Sequence, residues 1–478
     1  MNVFKFAKTL CLLFVISISS ITFADVNISN VKPVKYVFFF IGDGMGDAQR
    51  QITEAYSKTV FGKTLAMNDM PFGAETTTTL ANGGITDSAA AATALACGVK
   101  AKKAALGLDL QDNVVSTCAE DAHKAGKKVG IISTCPINHA TPAGFYSHSK
   151  SRGDMKLITQ QALDSGFEFF AGGSFIDHYS YKVDGNKDIF DAAKDRGYKI
   201  ARNHPNEFFK ISAKDKKVIA SYHIPYTITN SKYSPSLADF VSKAIEVLDN
   251  PNGFFIMCEG GMIDWVCHAN DTAGVIFETL AFDDSVRVAV DFAKKHPDDT
   301  LIIVTGDHET GALDIIDISK LNPKLINRQP NNSSSFGSSL RKSAKKMKDK
   351  FAFEFAMMRV EEFFYFNSSQ KTKITKSDIE QLRQAFYVQF SKNFSAEIKM
   401  SEKEKLDNKY EFYKNFKYPF DTAVVRTYGQ KMGLNWTSNS HSKRPLLTTA
   451  VGKNAELFQG KIDNTDVGKI LKAVVVKK

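Results

Sequence analysis

Aspartate and histidine residues stand at spacings suited to metal binding at three points in the chain. Asp264 and His268 are four residues apart, so both side chains would lie on one face of a helical turn. Asp307 and His308 are adjacent, and Asp43 lies in a Gly-Asp-Gly turn whose glycines let the backbone approach an ion. Carboxylates and imidazoles without clustered thiolates suit zinc, or magnesium where only oxygens contribute. Each motif alone is typical of a surface pair or a turn, but together they favour a metal centre.

Ser88 is the candidate nucleophile. It stands in the run TDSAAAATA, which starts at Thr86, and the alanines that follow it are strong helix formers. Ser88 is therefore expected at or near a helix N-terminus, where free amide groups and the helix dipole favour a phosphate or an alkoxide. The alternative is that Ser88 or Thr86 merely caps this helix.

The elements that must position these residues are short apolar runs ending at polar residues. Such runs are typical of buried parallel strands, and amphipathic helical patterns lie between them. The predicted strands cover 36–41, 129–132, 254–257, 301–304 and 446–451, and the predicted helices cover 157–165, 235–248 and 279–294. Strands alternating with helices indicate a layered α/β sheet, in which ligands bind beyond the carboxyl ends of the strands. The candidate ligands stand at those ends.

Several segments together resemble motifs of the alkaline phosphatase family, and they occur in that family's order. They are GDGMG at 42–46, TDSAAAATA at 86–94, HATPA at 139–143, Arg152, EGGMID at 259–264 with His268, TGDHETG at 305–311, and Ser440-His441. The resemblance covers roughly 35–312 and 436–470. It implies a three-layer α/β sandwich with a central, mostly parallel sheet and hydrolysis of phosphate monoesters through a phosphoserine at Ser88.

The resemblance also implies a set of metal ions, two zinc and one magnesium, with a ligand set carried over by motif. One zinc would be held by Asp264, His268 and His441. The other would be held by Asp43, Asp307, His308 and Ser88, and the magnesium by Asp43, Thr141 and Glu259. Arg152 would offer a bidentate fork to the phosphate oxygens. Two cations suit this reaction because a phosphate monoester dianion repels nucleophiles.

The chain departs from the family pattern at three positions. His139 stands where some members have an acid and others a histidine, and Trp265 stands where some carry a lysine. Ser442 follows His441, where the family usually has Thr-Gly. None of these removes a ligand, but the identity of the third metal and the pH optimum stay open.

Other functions of the same superfamily fit the residues less well. A sulfatase needs Cys or Ser followed in register by Pro and Arg, whereas Ser88 is followed by alanines. Phosphodiesterases of this superfamily tend to use threonine and to lack a counterpart of Arg152, and a phosphomutase would be cytoplasmic. A different class, a non-catalytic phosphate- or metal-binding protein, is disfavoured by the complete set of nucleophile and ligands.

The N-terminus has the pattern of a signal peptide. Lys5 and Lys8 precede an apolar run at 10–18 that is too short to span a bilayer comfortably, and Thr22 and Ala24 suit a cleavage site. We expect a secreted or periplasmic protein cleaved near Ala24, without a transmembrane segment in the mature chain. The alternative is an uncleaved membrane anchor. The composition, 43% hydrophobic and 24% charged, is that of a soluble globular protein.

The segment 313–435 differs from the rest of the chain. It has helical patterns with aromatic faces and no predicted metal ligand, and its net charge is +9, against +8 for the whole chain from Asp25. We expect a signal peptide at 1–24, a catalytic domain formed by 25–312 and 436–478, and a basic, helix-rich insertion at 313–435. The insertion either shapes access of anionic substrates to the site, or is a helical decoration or a homodimer contact. No nucleic-acid partner is required.

The cysteines of the chain from Asp25 cannot all form disulfides with one another, even in an oxidising compartment. Cys11 lies in the leader, which leaves five, an odd number. Cys97 and Cys258 lie in apolar runs and are expected as small core residues. Cys118 and Cys135 are the candidates for a disulfide.

Overall fold

The computed structural model describes residues 27–229, 234–368, 373–390 and 415–476. The predicted signal peptide and its cleavage site lie outside the described residues. Among the described residues, the strands are β1 Tyr36–Gly42, β2 Phe72–Thr77, β3 Lys128–Pro136, β4 Phe169–Gly173, β5 Lys199–Ala201, β6 Val218–Tyr222, β7 Phe254–Gly260, β8 Thr300–Gly306, β9 Glu309–Thr310, β10 Leu313–Ile315, β11 Leu434–Trp436, β12 His441–Ser442, β13 Leu446–Gly452 and β14 Gly460–Asp463.

A ten-stranded sheet forms the centre of the fold, in the order β14-β2-β13-β8-β1-β7-β3-β4-β6-β5. β13 runs antiparallel to both of its neighbours, and the other pairings in this sheet are parallel. The four strands predicted from apolar runs before the candidate ligands are β8, β1, β7 and β3, which are consecutive neighbours. The prediction of a mostly parallel α/β sheet is confirmed.

The register of these four strands brings their carboxyl ends to one edge of the sheet. Gly42 at the end of β1 is paired with Gly260 of β7 on one side and with Gly306 of β8 on the other. Glu259 of β7 is paired with Ser133 of β3. Because the strands are aligned, the polar residues that follow each of them meet at this edge.

Helices cover both faces of the sheet. They are α1 Asp47–Phe61, α2 Ser88–Cys97, α3 Cys118–Lys124, α4 Ala140–Ala143, α5 Met155–Asp164, α6 Ile189–Asp195, α7 Pro205–Phe209, α8 Leu237–Leu248, α9 Met262–His268, α10 Thr272–Ala293, α11 Pro323–Ile326, α12 Ser333–Met347, α13 Phe353–Phe364, α14 Lys376–Phe390, α15 Pro419–Lys431 and α16 Asn464–Val475. The three helices predicted from periodicity correspond to α5, α8 and α10. None of the described helices is long and apolar enough to cross a membrane.

Alternation along the strands divides the core into two apolar clusters, one on each face. In β1, Phe38 and Phe40 pack with residues of α1, α8 and α10, whereas Phe39 and Ile41 pack with residues of α2, α3 and α16. All seven residues of β1 are buried, which explains its unbroken apolar sequence. The result is the expected three-layer arrangement of helices, sheet and helices.

The helices α11 to α15 lie within the predicted insertion and are enclosed by a pair of short strands. β10 pairs antiparallel with β11, so that Leu313 is paired with Trp436 where the segment leaves and re-enters the layered α/β part of the chain. Its buried residues, such as Phe336 and Phe420, belong to the same apolar cluster as α1, α8 and α10. The segment therefore packs on one helical layer of the sheet through a shared core.

The cysteine prediction is corrected at one point. Cys97 and Cys258 are buried core residues as expected, but Cys118 and Cys135 are both free thiols. Cys118 begins α3 in the cluster that contains Cys97, whereas the Cys135 sulfur lies close enough to Gly261 that a Cβ on that glycine would be 2.5 Å from it. The two thiols serve different parts of the packing, so the proposed disulfide is wrong.

Candidate active site and metal centre

Ser88 is the first residue of α2, and Asp87, rather than Ser88 or Thr86, is the N-cap. The Asp87 side chain accepts a hydrogen bond from the amide of Ala90, so the capping role predicted as an alternative belongs to neither hydroxyl residue. The Ser88 hydroxyl is therefore not used in capping the helix. Its Oγ lies 3.2 Å from Nε2 of His308, and the residue is only 2% exposed.

Asp43, Asp307 and His308 form a fully buried group beside Ser88. Nε2 of His308 lies 3.5 Å from Oδ1 of Asp43 and 3.3 Å from Oδ2 of Asp307, and one ligand atom from each residue lies within 4.8 Å of the others. The other oxygen of Asp307 accepts from the amides of Gly44 and His308. Gly44 has a φ of +69°, and a Cβ there would be 2.8 Å from Asp264, so a glycine is needed at this turn.

Asp264 is approached by two histidines, His268 and His441, but the ligand atoms within 4.8 Å of one another are those of Asp264, His441 and His308, so His268 lies outside the tightest group. The last turn of α9 places Nε2 of His268 at 3.2 Å from Oδ2 of Asp264, and Nε2 of His441 lies 3.7 Å from Oδ1. The rings of His441 and His308 stack with centroids 3.6 Å apart. Nδ1 of His268 donates to the Asn439 carbonyl and Nδ1 of His441 to the Thr86 carbonyl, because a carbonyl only accepts. In the neutral rings, both Nε2 atoms thus present lone pairs to a carboxylate.

A third group lies on the other side of Asp43. The Thr141 hydroxyl donates to Oδ2 of Asp43 at 3.3 Å, and Glu259 accepts a short hydrogen bond from Ser133. Ligand atoms of Asp43, Glu259 and His139 lie within 4.8 Å of one another. The His139 ring also meets Trp265 edge to face, with centroids 6.1 Å apart. Two of the three residues at which the chain departs from the family pattern, His139 and Trp265, are therefore in contact with each other.

Arg152 reaches Asp87 and His139 from the loop that precedes α5. One guanidinium nitrogen lies 3.3 Å from Asp87 and another 3.1 Å from Nε2 of His139, and the side chain is 30% exposed. This arrangement keeps the guanidinium near the N-terminus of α2 and Ser88. The role of Arg152 as a clamp for the phosphate oxygens stays a prediction.

The electrostatics of the three groups fit bound cations. Burial and the charge of Asp307 raise the pKa of Asp43 well above its usual value, and burial with the charge of Asp264 raises the pKa of Asp307 to about 6. Burial raises the pKa of Glu259 to about 7. Among the described residues, Oδ1 of Asp43, Oδ2 of Asp307 and Oε1 of Glu259 are buried without a hydrogen-bond partner. Buried carboxylate oxygens without partners are costly, and metal ions satisfy them.

Burial and charge also set the state of the histidines. Burial lowers the pKa of His308 to about 4 and lowers the pKa of His441, so both rings are neutral. Burial alone would raise the pKa of Asp264. The hydrogen bond from His268 and the charge of that ring outweigh burial, so the Asp264 pKa is lowered. Imidazole nitrogens and carboxylate oxygens are donor types that zinc prefers.

Several residues of the site were not predicted from the sequence. Asp87 caps α2 and contacts Arg152, and Ser133 donates to Glu259. The Thr310 hydroxyl donates to Oδ1 of Asp264 at 2.7 Å, and Asn439 orients His268. Asp87 and Thr310 lie inside the motifs that resemble the family, so their positions in the sequence could have indicated a role in the site. Ser133 and Asn439 gave no such indication.

The segment 313–435 contributes to a cavity of about 420 Å³ that adjoins the metal ligand candidate His268. One wall carries Trp265 and Asn439, which are next to site residues in the sequence. Most of the other lining residues come from α12, α15 and the residues before α15, namely Ser333, Ser334, Arg341, Asn415, Phe416, Lys417, Tyr418, Asp421, Thr422 and Val425. The wall from the segment contains aromatic rings and two basic side chains.

Comparison with known proteins places the chain in a family. A family model described as alkaline phosphatase matches residues 34–476. Alkaline phosphatase 3 of Bacillus subtilis is 30% identical over 472 residues, which cover 92% of this chain and 88% of that protein. The alkaline phosphatase of Escherichia coli is 30% identical over 333 residues, which cover 58% of this chain and 70% of that protein.

Solved structures share the fold. The alkaline phosphatase of Thermus thermophilus superimposes with a TM-score of 0.72 at 22% identity, covering 95% of this chain and 93% of that one. The enzyme of the Antarctic bacterium TAB5 superimposes with a TM-score of 0.64 at 25% identity, covering 94% and 100%. The chain therefore belongs to the alkaline phosphatase family and is a phosphoric monoester hydrolase whose Asp and His side chains form candidate metal sites.

Proposed function

We propose that the chain hydrolyses phosphate monoesters through a phosphoserine at Ser88. The observation that carries the proposal is the position of the Ser88 Oγ, which lies 3.2 Å from Nε2 of His308 at the first turn of α2. Neighbouring Asp43 and Asp307 each have a buried oxygen without a partner. A nucleophile at a helix N-terminus next to cation ligands suits an anionic phosphate group.

The donor sets fit two zinc ions and one magnesium ion. Asp264, His268 and His441 would hold one zinc, and Asp43, Asp307, His308 and Ser88 would hold the other. Asp43, Thr141 and Glu259 offer oxygens for magnesium, although His139 lies close enough to supply a nitrogen to the third site. A structure of the TAB5 enzyme in which a histidine is replaced by aspartate has magnesium bound in its M3 site. When bound, such ions would lower the pKa of a hydroxyl and stabilise charge on the leaving oxygen.

The chain's own residues account for the order of events. The Ser88 Oγ loses its proton and forms a bond to the phosphorus, while the bond from phosphorus to the alcohol oxygen breaks and that oxygen leaves with a proton as the alcohol. A water then attacks the phosphoserine, which restores the Ser88 hydroxyl and releases inorganic phosphate. Arg152, next to the N-terminus of α2, donates N–H groups to the phosphate oxygens during both steps.

The direct test is a comparison of substrates on one preparation of known metal content. We expect turnover of a simple aryl phosphate far above that of the corresponding diester and sulfate ester. Predominant diester or sulfate hydrolysis would favour another member of the superfamily. Absence of all turnover in a fully metal-loaded protein would favour a non-catalytic phosphate- or metal-binding role.

We propose that the segment 313–435 is an insertion that shapes access to the site. The support is the cavity beside His268, whose outer wall comes from α12, α15 and the residues before α15. As the alternative proposal, the exposed faces of the same helices form a homodimer contact. We also propose that the protein acts outside the cytoplasm after cleavage near Ala24, on the basis of its N-terminal pattern.

A further inference from the structure

Arg426 is a buried cation close to the metal centre, and the chemistry described above does not use it. It belongs to α15, within the segment 313–435, and is only 8% exposed. A buried guanidinium is costly unless its N–H groups are bonded. Its partners therefore show what the residue is for.

Two asparagines accept hydrogen bonds from Arg426. Nε donates to Oδ1 of Asn270 and Nη2 donates to Oδ1 of Asn439, each at 2.9 Å. Nδ2 of Asn270 donates in turn to the carbonyls of Cys267 and Ser438. The guanidinium thus joins the end of α9 to the loop that precedes His441, two segments that are far apart in the sequence.

Asn439 carries this connection directly to His268. Its main-chain carbonyl accepts a 2.6 Å hydrogen bond from Nδ1 of His268, and its Nδ2 donates to the His268 carbonyl at 2.8 Å. The first bond fixes the tautomer and the ring orientation, which leaves Nε2 directed at Asp264. Outer partners of this kind orient ligating histidines and raise their basicity.

We propose that Arg426 is a positioning residue that holds Asn439 against His268 and thereby sets the zinc affinity of the site formed by Asp264, His268 and His441. This inference rests on the proposed role of His268 as a zinc ligand. Arginine suits the task because its planar fork directs two N–H groups along fixed lines to Asn270 and Asn439. A lysine has one nitrogen and would not hold both partners in this geometry.

The test compares Arg426→Gln with Arg341→Gln. Arg341 is an arginine of α12 in the same segment, and it pairs with Asp421 and stacks on Tyr418 without contacting Asn439. Zinc affinity is measured by competition with a chelator, on protein shown to be folded by circular dichroism. We expect Arg426→Gln to weaken the binding of one zinc by about tenfold, while Arg341→Gln leaves it unchanged.

A double-mutant cycle with Asn439→Ala separates positioning from general stability. Asn439→Ala removes the acceptor for Arg426 but keeps the main-chain carbonyl that binds His268. If Arg426 acts through Asn439, the two changes will have strongly non-additive effects on zinc affinity. Additive effects would overturn the proposal. If Arg426→Gln does not fold, Asn439→Ala alone must still weaken zinc binding, and unchanged binding in that variant would also overturn it.

The outcomes distinguish this inference from the proposed function. A wild-type protein that binds no zinc would refute the assigned metal centre, and with it the role of His268. Normal zinc binding in the wild type with an unaltered Arg426→Gln variant would refute only the positioning role. A lower unfolding temperature of the metal-free variant with unchanged zinc affinity would show a purely structural role, which also overturns the proposal.

Discussion

The edge of the central sheet and the segment 313–435 are opposites in their charge. At the edge of the sheet, Asp43, Glu259 and Asp307 are completely buried and each leaves an oxygen without a partner among the described residues. The segment has an excess of +9, and on α12 its Lys342, Lys345 and Lys346 are exposed to solvent. Buried carboxyls either take up a proton or bind a cation, whereas exposed positive charge is already solvated. The first region therefore suits the proposed metal-assisted chemistry, and the second suits the selection of anionic substrates.

The largest expected effect comes from removing metal ions from the edge of the sheet where the buried carboxyls lie. Treatment with a strong chelator should remove all measurable hydrolysis of an aryl phosphate, because the carboxylates would then repel the substrate dianion. Zinc together with magnesium should restore activity better than either ion alone. The measurement is metal content alongside turnover, with zinc-saturated chelator as the control. Full activity in metal-free protein would contradict the assignment of the edge as a metal centre.

The next effect in size is that of the nucleophile. Ser88→Ala should abolish phosphoenzyme formation and lower turnover by roughly 10³-fold or more, because no other hydroxyl replaces a lost nucleophile efficiently. Labelled phosphate followed by acid quenching detects the phosphoserine. Ser116→Ala is a matched control, since Ser116 precedes α3 and its hydroxyl contacts Lys472 of α16. A phosphoserine trapped in Ser88→Ala would rule out Ser88.

A moderate effect is expected at Arg152, the proposed clamp for the phosphate oxygens. Arg152→Ala should weaken inhibition by inorganic phosphate by about tenfold yet leave substantial turnover, since hydrogen bonds to a charged group contribute about 1.5–3 kcal/mol. Arg196→Ala removes an arginine of the same charge that pairs with Asp164 and Asp184 at the surface. An unchanged inhibition constant in Arg152→Ala would count against the clamp.

The smallest effect should come from the basic wall of the cavity. Lys417→Ala should lower kcat/KM for phosphomonoesters with a second negative charge by less than about fivefold, because exposed charges interact weakly in water. Substrates with neutral leaving groups should be unaffected, and added salt should reduce the difference. Lys342→Ala, an exposed lysine of α12 that does not line the cavity, is the control. Equal effects of both substitutions on all substrates would end the proposed access role.

The strands that the sequence predicts before the candidate ligands are buried along almost their whole length. Every residue of β1, β7 and β8 is buried because both faces of these strands are covered, which explains their apolar runs. β4 and β6 are also fully buried but were not predicted, since each has only five residues. β2 was missed because it alternates between exposed and buried residues, and β5 has only three residues. Long central strands can therefore be recognised from their apolar sequence, whereas short strands and strands with an exposed face cannot.

The sequence predicts the residues whose side chains carry the proposed chemistry. It does not predict the residues that act through a backbone group or through packing between distant segments. Asp87 was passed over as the N-cap because aspartate and serine are about equally favoured at that position. Asn439 binds His268 through its carbonyl, which every residue has, so its type gave no signal. Arg426 reaches Asn270 across 156 positions of sequence, and only the packing of α15 against α9 shows that relation.

The position of β13 in the sheet has a consequence for biosynthesis. β13 is made near the end of the chain, yet it lies between β8 and β2, which are made much earlier. A ribosome-bound chain that ends before residue 446 has no strand to join β2 to the rest of the sheet, and it barely includes His441. Domains with such long-range pairings fold slowly, and nascent chains fold as their parts emerge. We therefore expect the growing polypeptide to stay without hydrolytic activity until synthesis is almost finished, because β13 and β14, the last two strands to be made, complete the sheet.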